Sequence, residues 1–213
     1  MKQSTYSIDR AAIKNYLFDL GNVLLDIDIA RSNRQFSAIG FENLLSNFYT
    51  PGQEKIFDLY EAGHITTDEF FESIQKLSNH PIDSEKIKHA WNQIIGEYRK
   101  SSFDFLVELK KTSNIYLLSN TNECHHRFFS RTFLDLGIGP FDTFFNKVFY
   151  SFEMGCRKPD EAIYTLALNA AGLKAEETLF VDDLKINTDA ASRLGIQTLH
   201  LTSGMNVEEV LAF

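Results

Sequence analysis

Four short stretches of this sequence carry side chains that together could handle a phosphoryl group. Asp19 closes the apolar run Asn15-Tyr16-Leu17-Phe18, and Ser119-Asn120 follows Ile115-Tyr116-Leu117-Leu118. Lys158-Pro159 precedes a helical pattern, and Asp182-Asp183 follows Thr178-Leu179-Phe180-Val181. A carboxylate can attack phosphorus and split hydrolysis into two easier steps, which makes Asp19 the candidate nucleophile. A hard cation such as Mg²⁺ is held by one or two carboxylates plus substrate phosphate oxygens. Asp183, and less securely Asp182, would hold it together with Asp19. Lys158 would set a positive charge against the transferring phosphoryl group and the Asp19 carboxylate. Ser119, with the backbone amides of Asn120 and Thr121, would donate to phosphoryl oxygens. Each piece alone reads as a turn, a cap or a helix start. All four in this order, each beside its expected element, are the parts of one phosphoryl-transfer site.

The elements that would position them alternate. Tyr16–Phe18, Ile115–Leu118, Thr178–Val181 and Gln197–Leu201 read as short buried strands. Between them, Ala162, Ile163, Leu166, Ala167 and Ala170 recur at helical spacing, with Pro159 at the first helical position and Gly172 as the stop. Ile186–Leu194 reads as a helix closed by Gly195. Strands alternating with helices imply an α/β fold, a parallel sheet covered on both faces. Ligands of such sheets sit at the carboxyl ends of the strands, so wide separation in sequence does not separate these groups in space.

The stretch 29–100 differs. Ile56, Leu59 and Tyr60, then Phe70, Phe71, Ile74 and Leu77, then Ile87, Ala90, Trp91, Ile94 and Ile95 follow helical spacing, with no strand evident. Thr66-Thr67-Asp68-Glu69 has capping-box spacing. Pro51-Gly52 and His80-Pro81 read as turns. The expected organisation is a core of 1–28 and 101–213 with a helical insertion at 29–100. Tyr60, Glu61, His64 and Ile65 fall before a helix, in a loop that could face the site or simply turn the chain.

The chain has 213 residues, a net charge of −8 and 44% hydrophobic residues. That size and composition suffice for a sizeable core. The acidic balance argues against nucleic acid or an acidic membrane, whose phosphates need clustered Lys and Arg. A small phosphorylated metabolite needs only one or two cations or a metal. Met1–Arg10 is polar, without the apolar segment of a secretory signal. No apolar run approaches the ~18 residues that span a bilayer. Cys124 and Cys156 read as reduced thiols, and the expected location is cytoplasmic. Cys124-His125-His126 lacks further ligands at zinc spacing and reads as a loop or helix start. Phe128, Phe129, Phe133, Phe141, Phe144, Phe145 and Phe149 read as core. Monomer and homodimer both stay open.

With these motifs in place, the sequence resembles the haloacid dehalogenase-like (HAD) hydrolase superfamily over nearly its whole length. Phe18-Asp19-Leu20-Gly21-Asn22-Val23 matches the first family motif and Leu118-Ser119-Asn120-Thr121 the second. Arg157-Lys158-Pro159-Asp160 matches the third and Phe180-Val181-Asp182-Asp183 the fourth. The insertion is similar to the small helical cap of the subgroup that includes phosphoglycolate phosphatases and the dehalogenases. The nearest likeness is to phosphatases acting on α-D-glucose 1-phosphate and to the phosphatase domain of soluble epoxide hydrolases. The resemblance implies a Rossmann-like three-layer core, Mg²⁺ dependence and an aspartyl-phosphate intermediate.

One departure stands out. Most phosphatases of the family carry an acid–base Asp two residues after the nucleophile, and here that residue is Gly21. Its carbonyl could still ligate Mg²⁺, but it cannot protonate a leaving group. Asp26 and Asp28 are the nearby candidates to replace it. Three other readings remain: a metal-independent dehalogenase, a binding protein on a phosphatase core, and a phosphomutase.

Overall fold

A computed structural model of the chain describes residues 8–41, 44, 54–202 and 204–211. Five strands form one parallel sheet: β1 (Asn15–Phe18), β4 (Asn114–Ser119), β5 (Lys147–Tyr150), β6 (Thr178–Asp182) and β7 (Gln197–His200), in the order β5-β4-β1-β6-β7. The strand side chains alternate between two cores. Tyr16, Phe18, Ile115, Leu117, Leu179 and Val181 face one side. There they meet α5 (Lys100–Leu109), α6 (Glu123–Asp135) and α10 (Val207–Leu211) through Phe103, Leu106, Phe129, Phe133 and Leu211. Leu17, Tyr116, Leu118 and Phe180 face the other side, against α8 (Glu161–Ala171) and α9 (Lys185–Arg193) through Ile163, Tyr164, Ala190 and Ala191. This is the three-layer α/β arrangement expected from apolar strands buried on both faces. The phenylalanine-rich stretch is core as expected: Phe129, Phe133, Phe141, Phe145 and Phe149 are buried, Phe128 and Phe144 partly so.

Between β1 and β4 the chain leaves the sheet. β2 (Leu25–Ile27) pairs antiparallel with β3 (Ile95–Tyr98), and helices α1 (Ile29–Ala38), α2 (Glu54–Glu61), α3 (Thr67–Gln75) and α4 (Ser84–Asn92) lie between them in sequence. Strand β3 falls inside the stretch read as wholly helical. Ile94 and Ile95 continue the helical spacing of α4, and a four-residue strand is too short for its own alternation to show. The Pro51-Gly52 turn lies outside the described residues. The insertion has its own core of Phe36, Phe41, Tyr60, Phe70, Phe71, Ile74, Ile87, Ala90 and Trp91.

Local signals explain most helix ends. Thr66 and Glu69 form the capping box reciprocally at the start of α3. Gly172 closes α8 in a left-handed conformation, φ 66°. Pro159 is not the first helical residue. Asp160 takes the N-cap instead, its side chain accepting from the Ala162 amide at 3.0 Å. Leu166 faces solvent, and Ile163, Tyr164 and Ala167 make the buried stripe. Cys124 and Cys156 are both free. Among the described residues, no helix is long and apolar enough to cross a membrane.

The insertion docks on the first turn of α6. Trp91 stacks on His125 with ring centroids 4.7 Å apart. His125 Nε2 donates to the Trp91 carbonyl at 3.2 Å, which leaves Nδ1 to accept from Asn122 Nδ2 at 3.0 Å. Asn122 Oδ1 accepts from the Trp91 indole at 3.4 Å and from the His125 amide at 3.0 Å. Cys124 and His125 are thus an interior helix start. Burial lowers the His125 pKa to about 4, against the opposing hydrogen bond to Trp91. In the unfolded chain the imidazole returns to about 6.5. The unfolded state therefore binds the extra proton in between. The stabilising contribution is complete above about pH 6.5 and is lost as pH falls towards 4, on the order of 3 kcal/mol in all. The expected outcome is a urea midpoint that falls between pH 7 and pH 4.5, with a shallower fall in His125→Gln. Parallel pH profiles for the two proteins would contradict this.

Candidate active site

The sheet order makes β4, β1 and β6 neighbours, and Phe18 lies level with both Leu117 and Val181. The residues that end these strands, Ser119, Asp19 and Asp182, therefore sit side by side at one edge. The Asp19 amide donates to Val181 O at 2.9 Å and carries the strand pairing to the carboxylate itself.

Lys158 is the hub. Its side chain is 1% exposed, and its ammonium lies 2.8 Å from Asp19 Oδ1 and 2.7 Å from Asp182 Oδ2. Asp182 is wholly buried and its remaining capacity is filled. Oδ1 accepts from the Leu184 amide at 2.8 Å and from Asn187 Nδ2 at 3.0 Å. Asp183 differs: it is partly exposed, and Oδ2 accepts from Asn22 Nδ2 at 2.9 Å. Asn22 reaches it from a left-handed backbone, φ 55°, while its Oδ1 accepts from the Ile27 amide at 3.2 Å.

The loop after β4 holds a further arrangement. Asn120 turns its side chain onto the Lys158 backbone: Oδ1 accepts from Lys158 N at 2.8 Å and Nδ2 donates to Lys158 O at 2.9 Å. Both ends of that amide are thus engaged with the peptide unit of the lysine. The Thr121 amide, read from sequence as a phosphoryl donor, is engaged instead, donating to Ser151 Oγ at 3.0 Å. Ser119 is buried, and its hydroxyl has only a long 3.5 Å contact with the Asn120 carbonyl.

Position 21 is tight against the Ile27 side chain. A Cβ there would lie 3.0 Å from Ile27 Cγ1. Both acids proposed to replace the missing Asp have partners through one carboxylate oxygen. Asp26 pairs with Arg99 at 2.7 Å, and Asp28 caps α1 by accepting from the Arg31 amide at 2.7 Å.

One oxygen each of Asp19, Asp182 and Asp183 lie within 4.8 Å of one another. Three carboxylates against one ammonium leave a surplus of negative charge. Burial pushes the Asp19 carboxyl up to about 7, with Lys158 opposing and Asp182 adding to the rise. Burial also raises Asp183, against the Asn22 hydrogen bond. For Lys158, burial acts downward but Asp19 and Asp182 outweigh it, and the pKa rises. A cluster of hard oxygens that resists its own full ionisation fits a divalent cation.

The family model described as haloacid dehalogenase-like hydrolase matches residues 13–195. The chain belongs to the haloacid dehalogenase-like hydrolases. A D-ribitol-5-phosphate phosphatase of Bacteroides thetaiotaomicron is 29% identical over 205 residues, spanning 93% of this chain and 97% of that protein. The crystal structure of a HAD family enzyme from the same species, in complex with magnesium and inorganic phosphate, has a TM-score of 0.86 at 33% identity. It covers 93% of this chain and 99% of that one. A HAD-like family hydrolase from Porphyromonas gingivalis gives 0.84 at 31% identity, covering 95% of this chain and 99% of that chain.

Sequence reasoning did not assign Asn22 or Asn187. A signal existed for both: an amide follows Gly21 within the first motif, and another stands on the first turn after Asp182-Asp183. The central pair of this HAD site carries a stability consequence. Lys158→Met leaves two buried carboxylates without their cation, and breaking a buried pair costs about 3–5 kcal/mol. Urea unfolding at pH 7.5 should show that loss, and a change below 1 kcal/mol would contradict the buried pairing.

Proposed function

We propose that this chain is a Mg²⁺-dependent phosphatase of small phosphate monoesters, with sugar or polyol phosphates as its substrates. The observation that carries the reading is the Lys158 ammonium held between Asp19 and Asp182, with Asp183 open beside them. The phosphatase relative acts by name on a polyol phosphate, and a solved neighbour holds magnesium and inorganic phosphate.

Asp19, Asp183 and the Gly21 carbonyl would hold the metal. Asp182 stands behind them, already bonded to Lys158, Leu184 and Asn187. When bound, Mg²⁺ offsets the charge of the phosphate and of the carboxylates that approach it. Lys158 neutralises the Asp19 carboxylate and the transferring group from the other side. Ser119 donates to a phosphoryl oxygen. Asp19 attacks phosphorus, the ester P–O bond breaks, and the leaving group departs as an alkoxide that takes its proton from water. Water then attacks the aspartyl-phosphate, the Asp19–phosphorus bond breaks, and inorganic phosphate leaves with Asp19 regenerated. The helices at 29–100 act as a cap over this cleft, excluding water in the first step and admitting it in the second.

Phosphate release from p-nitrophenyl phosphate, ribitol 5-phosphate and glucose 1-phosphate, with Mg²⁺ and with EDTA, tests the reading. The expected result is metal-dependent release that Asp19→Asn lowers at least ~10³-fold. Unchanged activity in Asp19→Asn would overturn it, and absence of release from any ester would favour a binding role. Because position 21 supplies no acid, a term worth roughly 10²–10⁴-fold is missing there. Rates should therefore rise steeply as the leaving-group pKa falls, and a flat dependence would show a proton donor elsewhere.

A further inference from the structure

The segment that leads into Lys158 is also where the helical insertion meets the core. Arg157, one residue before the lysine, pairs with two acids of α2. Its guanidinium contacts Asp58, and Nη2 lies 2.8 Å from Glu61 Oε2. Two more contacts join the same surfaces. His64 Nε2 lies 3.0 Å from the Gly155 carbonyl. Gly63, at φ 68°, comes so close to α7 (Ser151–Met154) that a Cβ would fall 2.0 Å from the Phe152 carbonyl oxygen. The turn at 58–64 therefore rests on the stretch 152–157 by charge, by hydrogen bond and by backbone contact.

The two seams between insertion and core are unlike. At α6, the Trp91–His125–Asn122 network is buried and its polar atoms are paired. At Arg157 the side chains of Arg157, Asp58 and Glu61 are 35%, 52% and 26% exposed. This seam is also under-bonded. Among the described residues Arg157 Nε has no acceptor, and Glu61 Oε2 lies 2.8 Å from Nη2. Burial raises the Glu61 pKa despite Arg157, so its charge is held against a desolvation cost. Separating such a pair returns both charges to water, whereas opening the α6 seam would strip a satisfied buried network. The Arg157 seam is the more exposed of the two.

Lys158 stands directly downstream. Its ammonium is fixed by Asp19 and Asp182, and its peptide unit by Asn120. The Arg157 carbonyl accepts from the Asp160 amide at 3.0 Å, while its side chain is held by the insertion through Asp58 and Glu61. The Lys158 charge also reaches Glu61 and favours its ionised form. We infer that Arg157 is a positioning residue that makes the placement of Lys158 depend on docking of the insertion: with α2 seated, the lysine is set for phosphoryl transfer, and with α2 released, its backbone loosens. This rests on the phosphatase reading above. It concerns the shared phosphoryl end of the substrate, so its effect does not depend on the leaving group.

The test is steady-state kinetics on p-nitrophenyl phosphate and ribitol 5-phosphate for wild type, Arg157→Met, Arg157→Lys, Asp58→Asn/Glu61→Gln, and that double variant carrying Arg157→Met. Near-UV circular dichroism at assay temperature sets the folded fraction by which each kcat is divided. The expected result for Arg157→Met is a kcat at least tenfold lower on both substrates by the same factor, with KM within threefold. A group acting only in the transition state gives that pattern. Arg157→Lys should recover most of the loss. In the Asp58→Asn/Glu61→Gln background, Arg157→Met should cost less than twofold more, because the coupling is already gone. An unchanged kcat would overturn the inference. So would a loss confined to KM for ribitol 5-phosphate, which would make Arg157 a leaving-group contact. An undiminished loss in the double-variant background would show that Arg157 acts without α2. Wild-type protein lacking Mg²⁺-dependent release from p-nitrophenyl phosphate would remove the phosphatase reading and this inference together. Release that is present while Arg157→Met is silent removes the inference alone.

Discussion

A lysine ammonium with 1% of its side chain exposed cannot stay charged without anions in contact. Asp19 and Asp182 meet that need, and the rest of the molecule can be understood as the apparatus that brings them there. The two carboxylates end β1 and β6, adjacent strands in the sheet. Lys158 approaches from the loop before α8, with its peptide unit held by Asn120 at the end of β4. Three strands and one loop thus converge on one cation. The pairing also divides labour between neighbouring acids. Asp182 is occupied by Lys158, Leu184 and Asn187, whereas Asp183 is partly exposed and held, among the described side chains, by Asn22.

Position 21 lies beside the two-stranded ribbon. Ile27 of the two-stranded β2–β3 ribbon packs where a larger side chain would project. The ribbon in turn is the stalk from which the helical insertion departs and returns. Its geometry is tied to α1 through Arg31, which donates to Gln93 O at 2.7 Å and also to the Ile95 carbonyl. The first motif and the insertion are therefore in direct contact.

Much of this was legible in the sequence because it follows local rules. Apolar runs flanked by Asp19, Ser119 and Asp182 gave the strands and their functional ends. Gly172, Gly195 and the Thr66–Glu69 box gave helix limits. What stayed hidden was decided by contacts between distant segments. β3 is four residues long and continues the helical spacing of α4, so only pairing with β2 reveals it. The Asn120 side chain bonds a backbone 38 residues away, a contact that spacing alone does not show. The Thr121 amide is taken by Ser151, 30 residues on. Asp26 and Asp28 looked available by proximity in sequence, yet one pairs with Arg99 and the other caps a helix. Spacing shows which groups could act, and packing decides which are already committed.

In the proposed reading Asp183 would hold the cation, while Asp182 is bonded to Lys158. Calorimetric titration of Mg²⁺ into Asp183→Asn and Asp182→Asn, each folded at pH 7.5, tests it most directly. The account predicts that Asp183→Asn weakens Mg²⁺ binding at least ~30-fold, by loss of a direct carboxylate ligand. It predicts that Asp182→Asn keeps binding within about threefold while lowering the melting temperature, because the loss falls on the buried pair. The reverse pattern, with binding lost in Asp182→Asn and retained in Asp183→Asn, would contradict it.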